Sequence, residues 1–153
     1  DLHLCDRRQR QMCIETALKQ LITARKVSCT LTLEDKVHDK KESVELPRFL
    51  FVTCMSHRYE GGGFMFCPPA VDHDGVLDLC SVGNISKGLV LLALPTAFFG
   101  KHYFVKGINA HTATQMSITA SAPLWVHTDG EVTRKSRGFR VECLPGAIRM
   151  ITP

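Results

Sequence analysis

No Cys-x-x-Cys pair occurs anywhere in this chain, although it carries seven cysteines, at positions 5, 13, 29, 54, 67, 80 and 143. A structural zinc site needs Cys and His ligands at short spacings, and a disulfide framework favours an even count in a secreted chain. Neither pattern is present. Cys29, Cys54, Cys67, Cys80 and Cys143 fall in apolar, strand-like stretches, where a free cysteine behaves as a small hydrophobe. All seven are expected to be reduced, which places the chain in the cytoplasm. Long apolar runs are missing too: the longest, residues 89–99, is broken by Pro95 and falls well short of the roughly 20 residues a membrane span needs. No secretory signal, internal repeat or low-complexity segment is visible. Charge of one sign is scarce, because 19 Lys and Arg against 15 Asp and Glu leave a net charge of +4. So small and scattered an excess argues against nucleic acid as a partner. A local cluster of Arg134, Lys135, Arg137 and Arg140 reads either as a solvated surface or as a contact for anionic lipid head groups.

What is present fits one domain. At 153 residues and 44% apolar content the chain can bury a single core. It begins at Asp1 rather than methionine, immediately before a helical pattern, and we expect an excised segment with further chain upstream. Asp6 suits the cap of a helix reaching about Arg25, with Ile14, Ala17, Leu18, Leu21 and Ile22 on one face. Val27, Cys29, Leu31 and Leu33 then alternate with polar residues, the period of a half-buried strand. The charged residues 35–42 read as a hairpin turn, and 49–55 as the returning strand. A strand at 77–82 precedes a helix opened by Asn84 or Ser86. Pro95 suits the first turn of a further short helix that Gly100 stops. More strands are predicted at 103–105, 114–120, 124–128, 139–144 and 148–151. The fold class that follows is mainly β (α+β): an antiparallel β-sandwich with an N-terminal helix and one or two short helices on its edges.

Two acidic motifs stand against glycine turns. The first is Gly61-Gly62-Gly63 followed by Pro68-Pro69-Ala70-Val71-Asp72-His73-Asp74-Gly75-Val76-Leu77-Asp78; the second is Asp129-Gly130-Glu131. Loops on a rigid scaffold are where binding and catalytic groups concentrate. The triple glycine is not a phosphate loop, which would open a helix and carry a following Lys-Ser or Lys-Thr, whereas residues 64–67 read as strand. It is either a glycine-permitted turn or bulge, or a place where a substrate or another domain approaches bare backbone. The Asp74-Gly75 turn needs no ligand to enter a strand, and Asp129-Gly130 suits a type I′ hairpin without any chemistry.

The order of these motifs, with a helical segment between them and a closing Leu144-Pro145-Gly146-Ala147, resembles the C-terminal domain of bacterial diacylglycerol kinase-like lipid kinases, relatives of sphingosine kinases. The resemblance runs from about Lys26 to Ile151. It implies a two-domain, ATP-dependent enzyme that phosphorylates a lipid hydroxyl, with residues 1–153 as its C-terminal domain. ATP would be held by an N-terminal domain of the same polypeptide through a Gly-Gly-Asp-Gly-type loop that this chain lacks, so the fragment alone should be inactive. By the same resemblance Glu131 is the general base and Asp129 shapes the site. Gly61, Gly62, Gly63 and Ser56 face the substrate, Ser56 standing where relatives carry asparagine. A structural Mg²⁺ is implied on the Asp74 carboxylate and the backbone carbonyls of Val71 and Val76. Relatives have two adjacent aspartates where this chain reads Asp72-His73-Asp74. His73 should point to solvent, and Asp78 should brace the loop by accepting backbone hydrogen bonds. Lipid would enter against residues 89–104, unless that segment is simply core. The implied partners are the lipid substrate, the N-terminal domain and the inner face of the membrane as a peripheral contact, with a homodimer left open. The alternative is a non-catalytic β-sandwich module that binds lipid or a partner and keeps the carboxylates without turnover.

Overall fold

The fold, taken from a computed structural model, is described for residue 23 and residues 25–60, 63–128 and 131–147. The expected N-terminal helix, apart from residue 23 and Arg25, and the expected strand at 148–151 lie outside these residues, as do Gly61, Gly62, Asp129 and Gly130. The elements are β1 (Val27–Asp35), β2 (Lys40–Met55), β3 (Leu77–Gly83), α1 (Lys87–Ala97), a 3-10 turn (His102–Phe104), β4 (Ile108–Ala113), β5 (Gln115–Thr128) and β6 (Glu131–Glu142). The strands run in the order β4-β3-β2-β1-β5-β6, every neighbouring pair antiparallel.

Two features bend this continuous sheet over itself. Strand β2 pairs with β1 through its first half and with β3 through its second, and its register breaks on either side of Phe49, beside Pro47. Such a break lets one strand pass from one layer to the other. Strands β4 and β5 are joined by Thr114 alone, yet β1, β2 and β3 lie between them in the sheet. A one-residue connector demands that the two layers close up. Thr114 pins the closure: its amide and hydroxyl both donate to the Glu34 carbonyl, its hydroxyl accepts the Lys36 amide, and its carbonyl accepts the Cys143 amide.

The alternation in β1 fills the space between the layers. Cys29, Leu31 and Leu33 face Met116 and Ile118 of β5 and meet Leu77, Leu79 and Ala113 from the other layer. On the outer face of β3, Cys80 and Val82 pack with Met55, Ile108 and Cys67 beneath Val90 and Ala93 of α1. Ser86 caps α1 by accepting the Leu89 amide at 3.2 Å. The described cysteines are free. Burial pushes the thiols of Cys54 and Cys80 up to about 12 and those of Cys29 and Cys67 up to about 11, as suits inert core residues.

Several expected boundaries move. The hairpin turn shrinks to four residues, because Asp35 accepts the amides of Val37 and His38, and Lys41 pairs with Glu34 across the strands at 2.6 Å. Charged residues that looked like loop therefore open β2. Pro95 sits inside the last turn of α1 instead of starting a second helix, and Gly100, at φ +64, does end the segment. Residues 103–105 are not a strand: His102 Nε2 and Tyr103 Oη both bond the Phe66 carbonyl, at 3.1 and 2.7 Å, and coil the backbone. The strands expected at 114–120 and 124–128 are one strand with a register shift between Thr119 and Leu124. Strand β6 begins at Glu131, eight residues before the expected Phe139.

Candidate functional site

The segment that follows the triple glycine rests on the end of α1. Glu60 and Phe64 form an isolated bridge, with the Glu60 amide donating to the Phe64 carbonyl at 2.8 Å. Gly63 has φ +89 and open space where a Cβ would stand, so backbone handedness rather than crowding calls for glycine here. Phe64 lies against Phe98, and the Met65 amide bonds the Ala97 carbonyl at 2.9 Å. Ser56, just beyond β2, is exposed.

The Asp74 loop is built from oxygen donors. Asp74 Oδ1 accepts the Val76 amide at 3.0 Å, and Gly75, at φ +78, turns the chain. A Cβ on Gly75 would come within 3.2 Å of Pro145 Cγ, so the loop abuts the turn that follows β6. His73 faces solvent, and its ring bonds Asp72 at 2.7 Å; that hydrogen bond holds the Asp72 carboxyl below the ordinary range. Among the described residues no group of three or more His, Cys, Asp or Glu side chains could hold a metal ion. One carboxylate with main-chain carbonyls and water remains a chemically suitable set for Mg²⁺, which seldom takes an all-protein cage. Asp78 does not brace this loop as expected. It is 4% exposed, on the face toward α1, and no hydrogen bond from a described residue reaches its carboxylate. Burial, with a lesser contribution from the charge of Asp74, raises its pKa. The bracing amide goes to Asp74 instead.

Glu131 is the first residue of β6, opposite Thr128, and is exposed. The outer part of the β5–β6 ribbon extends past the start of β1, where the Ser28 amide bonds Ser121 Oγ. Beyond that point, among the described residues, the two arms pair only with each other, and Lys135 Nζ lies 4.3 Å from the Trp125 ring centroid. Glu131 stands at the end of this ribbon. The Asp74 loop touches Pro145, just past the opposite end of β6, and 11 strand steps at ~3.3 Å put roughly 36 Å of strand between them. The candidate base and the candidate metal loop thus stand at opposite ends of β6.

One feature of the site region was hidden from sequence reasoning. Residues 89–104 divide between core and surface: Val90, Ala93 and Ala97 are buried, whereas Leu92, Phe99 and Phe104 are 74%, 75% and 88% exposed. Only the helical spacing of the two sets could have signalled the division. Under α1, His102 is buried beside a cavity of about 20 Å³ lined by Phe51, Phe66 and Leu94. Burial lowers its pKa.

Fold and site together define a mainly β, antiparallel domain that carries one helix on an outer face and acidic loops at opposite ends of its longest hairpin. The chain belongs to the family described as the YegS C-terminal NAD kinase beta sandwich-like domain, which matches residues 5–152. A "Probable lipid kinase YegS-like" protein of Xanthomonas euvesicatoria pv. vesicatoria (strain 85-10) is 35% identical over 98 residues, covering 63% of this chain and 31% of that protein. A "Diacylglycerol kinase" of Mycobacterium tuberculosis (strain CDC 1551 / Oshkosh) is 26% identical over 96 residues, with 63% and 30% covered. A crystal structure of a diacylglycerol kinase from Bacillus anthracis str. Sterne shares the fold, with a TM-score of 0.55 and 20% identity over 84% of this chain and 43% of that one. The chain spans about a third of the length of the curated relatives it matches. No helix among the described residues is long and apolar enough to cross a membrane.

Proposed function

We propose that this chain is the C-terminal domain of an ATP-dependent lipid kinase and supplies the substrate side of the cleft and the catalytic base. The observation that carries the reading is the exposed Glu131 carboxylate at the end of a projecting ribbon, in the Asp-Gly-Glu motif of a domain whose relatives are named lipid and diacylglycerol kinases. Phosphoryl transfer asks little covalent chemistry of the protein and depends on positioning and on managing the acceptor's proton. In this reading the lipid hydroxyl oxygen attacks the γ-phosphorus of ATP, its proton passes to Glu131, and ADP leaves with the bonding pair. Asp129 orients the acceptor. Ser56 and the turn at Gly61, Gly62 and Gly63 line its approach, bare backbone there letting a head group come close. ATP itself is held by a preceding domain of the same polypeptide.

Mg²⁺ would be held by the Asp74 carboxylate and the carbonyls of Val71 and Val76, where it would tie the loop together by charge. The places of this loop and Glu131 at opposite ends of β6 support a structural part for the ion. The test is transfer of the γ-phosphate of ATP to diacylglycerol by the full-length protein. Activity that survives intact in Glu131→Gln removes Glu131 from the chemistry and leaves Asp129 or a binding module as the alternatives.

A further inference from the structure

Strand β6 treats its charges differently along its length. Toward the core end they are paired across strands: Arg140 bonds Gln115 of β5, and Glu142 pairs with Lys36. On the outer part of the ribbon they are not. Among the described residues Arg134 and Arg137 meet no carboxylate, and Lys135 lies on the Trp125 ring. All three cations are exposed. Like charges gathered without counter-ions repel one another, and an incoming anion relieves that repulsion.

The pairing register singles out one of the three. Thr128 stands opposite Glu131 and Val126 opposite Arg134. Thr128 and Val126 are two residues apart on β5 and share a face, so Glu131 and Arg134 share it too. A bulge makes this possible. Between these pairs β6 carries one extra residue, Thr133, whose hydroxyl donates to the Val126 carbonyl at 2.9 Å. Without the extra residue Arg134 would fall opposite Trp125, on the other face; re-aiming a side chain is what a bulge does. Two strand steps put Arg134 about 7 Å along the ribbon from Glu131, within the span of an arginine side chain. Charge along β6 also guards an edge strand against pairing with other chains. That role is indifferent to face, and it does not account for the bulge.

The shared face suits a phosphate beside the base. A base that takes the acceptor's proton lies ~2.6–3.2 Å from the hydroxyl, and the phosphoryl oxygens lie just beyond it. A carboxylate there repels the triphosphate, whereas a guanidinium attracts it and can take two oxygens at once. We propose that Arg134 binds the γ-phosphate of ATP while Glu131 meets the acceptor hydroxyl, and so stabilises the charge on the transferring phosphoryl oxygens. The inference rests on the lipid-kinase reading and adds a phosphate-binding group to it. As the hydroxyl oxygen bonds to the γ-phosphorus, its proton moves to Glu131 and the bond to the ADP oxygen breaks with its electron pair. Arg134 stays charged throughout.

Transfer of the γ-phosphate from ATP to diacylglycerol by the full-length protein tests it. Arg134→Gln should lower kcat on the order of 10²-fold, as loss of one preorganised donor does, and leave KM for lipid unchanged. Arg134→Lys, which keeps the charge without the planar fork, should recover about tenfold of that loss. The side chain is exposed, so melting temperatures should hold. A merely structural role would not move a second readout: affinity for ADP with aluminium fluoride, a mimic of the transferring group, should fall about tenfold more than affinity for ADP alone. Arg137→Gln should match wild type in both measurements. A kcat for Arg134→Gln within about threefold of wild type overturns the proposal, as does an equal loss in Arg137→Gln, which would show a general effect of charge. A rise in KM for lipid at unchanged kcat would assign Arg134 to a lipid head group and overturn it as well. In each of these outcomes transfer by the wild type keeps the enzyme reading, whereas a wild type that transfers no phosphate overturns both.

Discussion

The ring of Phe64 lies 4.2 Å, centroid to centroid, from that of Phe98, so the segment that follows the triple glycine is tied to the C-terminal end of α1. Phe64 also stacks at 5.8 Å on Phe66, whose carbonyl anchors His102 and Tyr103. One partly buried ring thus couples the segment after the triple glycine to residues 89–104. Phe64→Ala should cost about 1–3 kcal/mol, below the usual loss for a fully buried Phe because this ring keeps some exposure. Under the proposed lipid-kinase function it should, in the full-length protein, raise KM for lipid more than it lowers kcat. Urea melts and steady-state kinetics read both; unchanged stability would mean that the ring contact holds nothing.

Much of this layout was legible because the buried residues keep their period. Cys29, Leu31 and Leu33 announce β1, and Ser86 announces the start of α1. Strand β6 was half missed because residues 131–138, rich in charge and with no buried face, carry no period-two signal when a ribbon projects from the core. Residues 103–105 have strand-forming side chains, but two bonds to the Phe66 carbonyl outweigh that preference. The acidic loops could be picked out one at a time. Their separation along β6 depends on strand order, and local spacing does not contain it.

Asp74→Ala removes the acceptor of the Val76 amide. We expect a stability loss of about 1 kcal/mol and faster hydrogen exchange at Val76, with or without metal. Under the proposed function, activity of the full-length protein should fall and respond less to added Mg²⁺. Activity that titrates with Mg²⁺ as in wild type would show that the loop holds no functionally relevant ion.

Asp78 carries a pH signature. Its folded-state pKa is raised above the ordinary value of 3.8 by burial, so the folded state binds its proton more tightly than the unfolded chain does. Stability from this residue is greatest at low pH and is lost as pH rises through the raised value. Asp78→Asn should therefore be more stable than wild type at neutral pH, and the gap should close as pH falls toward 3.8. Thermal melts across that range decide it; a variant less stable than wild type at neutral pH would show that the carboxylate is compensated when charged.

Glu131→Gln separates chemistry from architecture. The substitution keeps side-chain volume and removes the proposed base, and the residue is exposed at the start of β6, so folding and ATP affinity should hardly change. General-base loss costs roughly 10²- to 10⁴-fold in rate, and because phosphoryl transfer leans on positioning the effect should fall toward the lower end. The loss should appear in kcat at saturating lipid, since the hydroxyl proton is transferred only as the bond to phosphorus forms. A turnover within about threefold of wild type would move the role to Asp129 or to no residue of this domain. If Asp129→Asn were equally silent, the ribbon's acidic end would serve recognition alone.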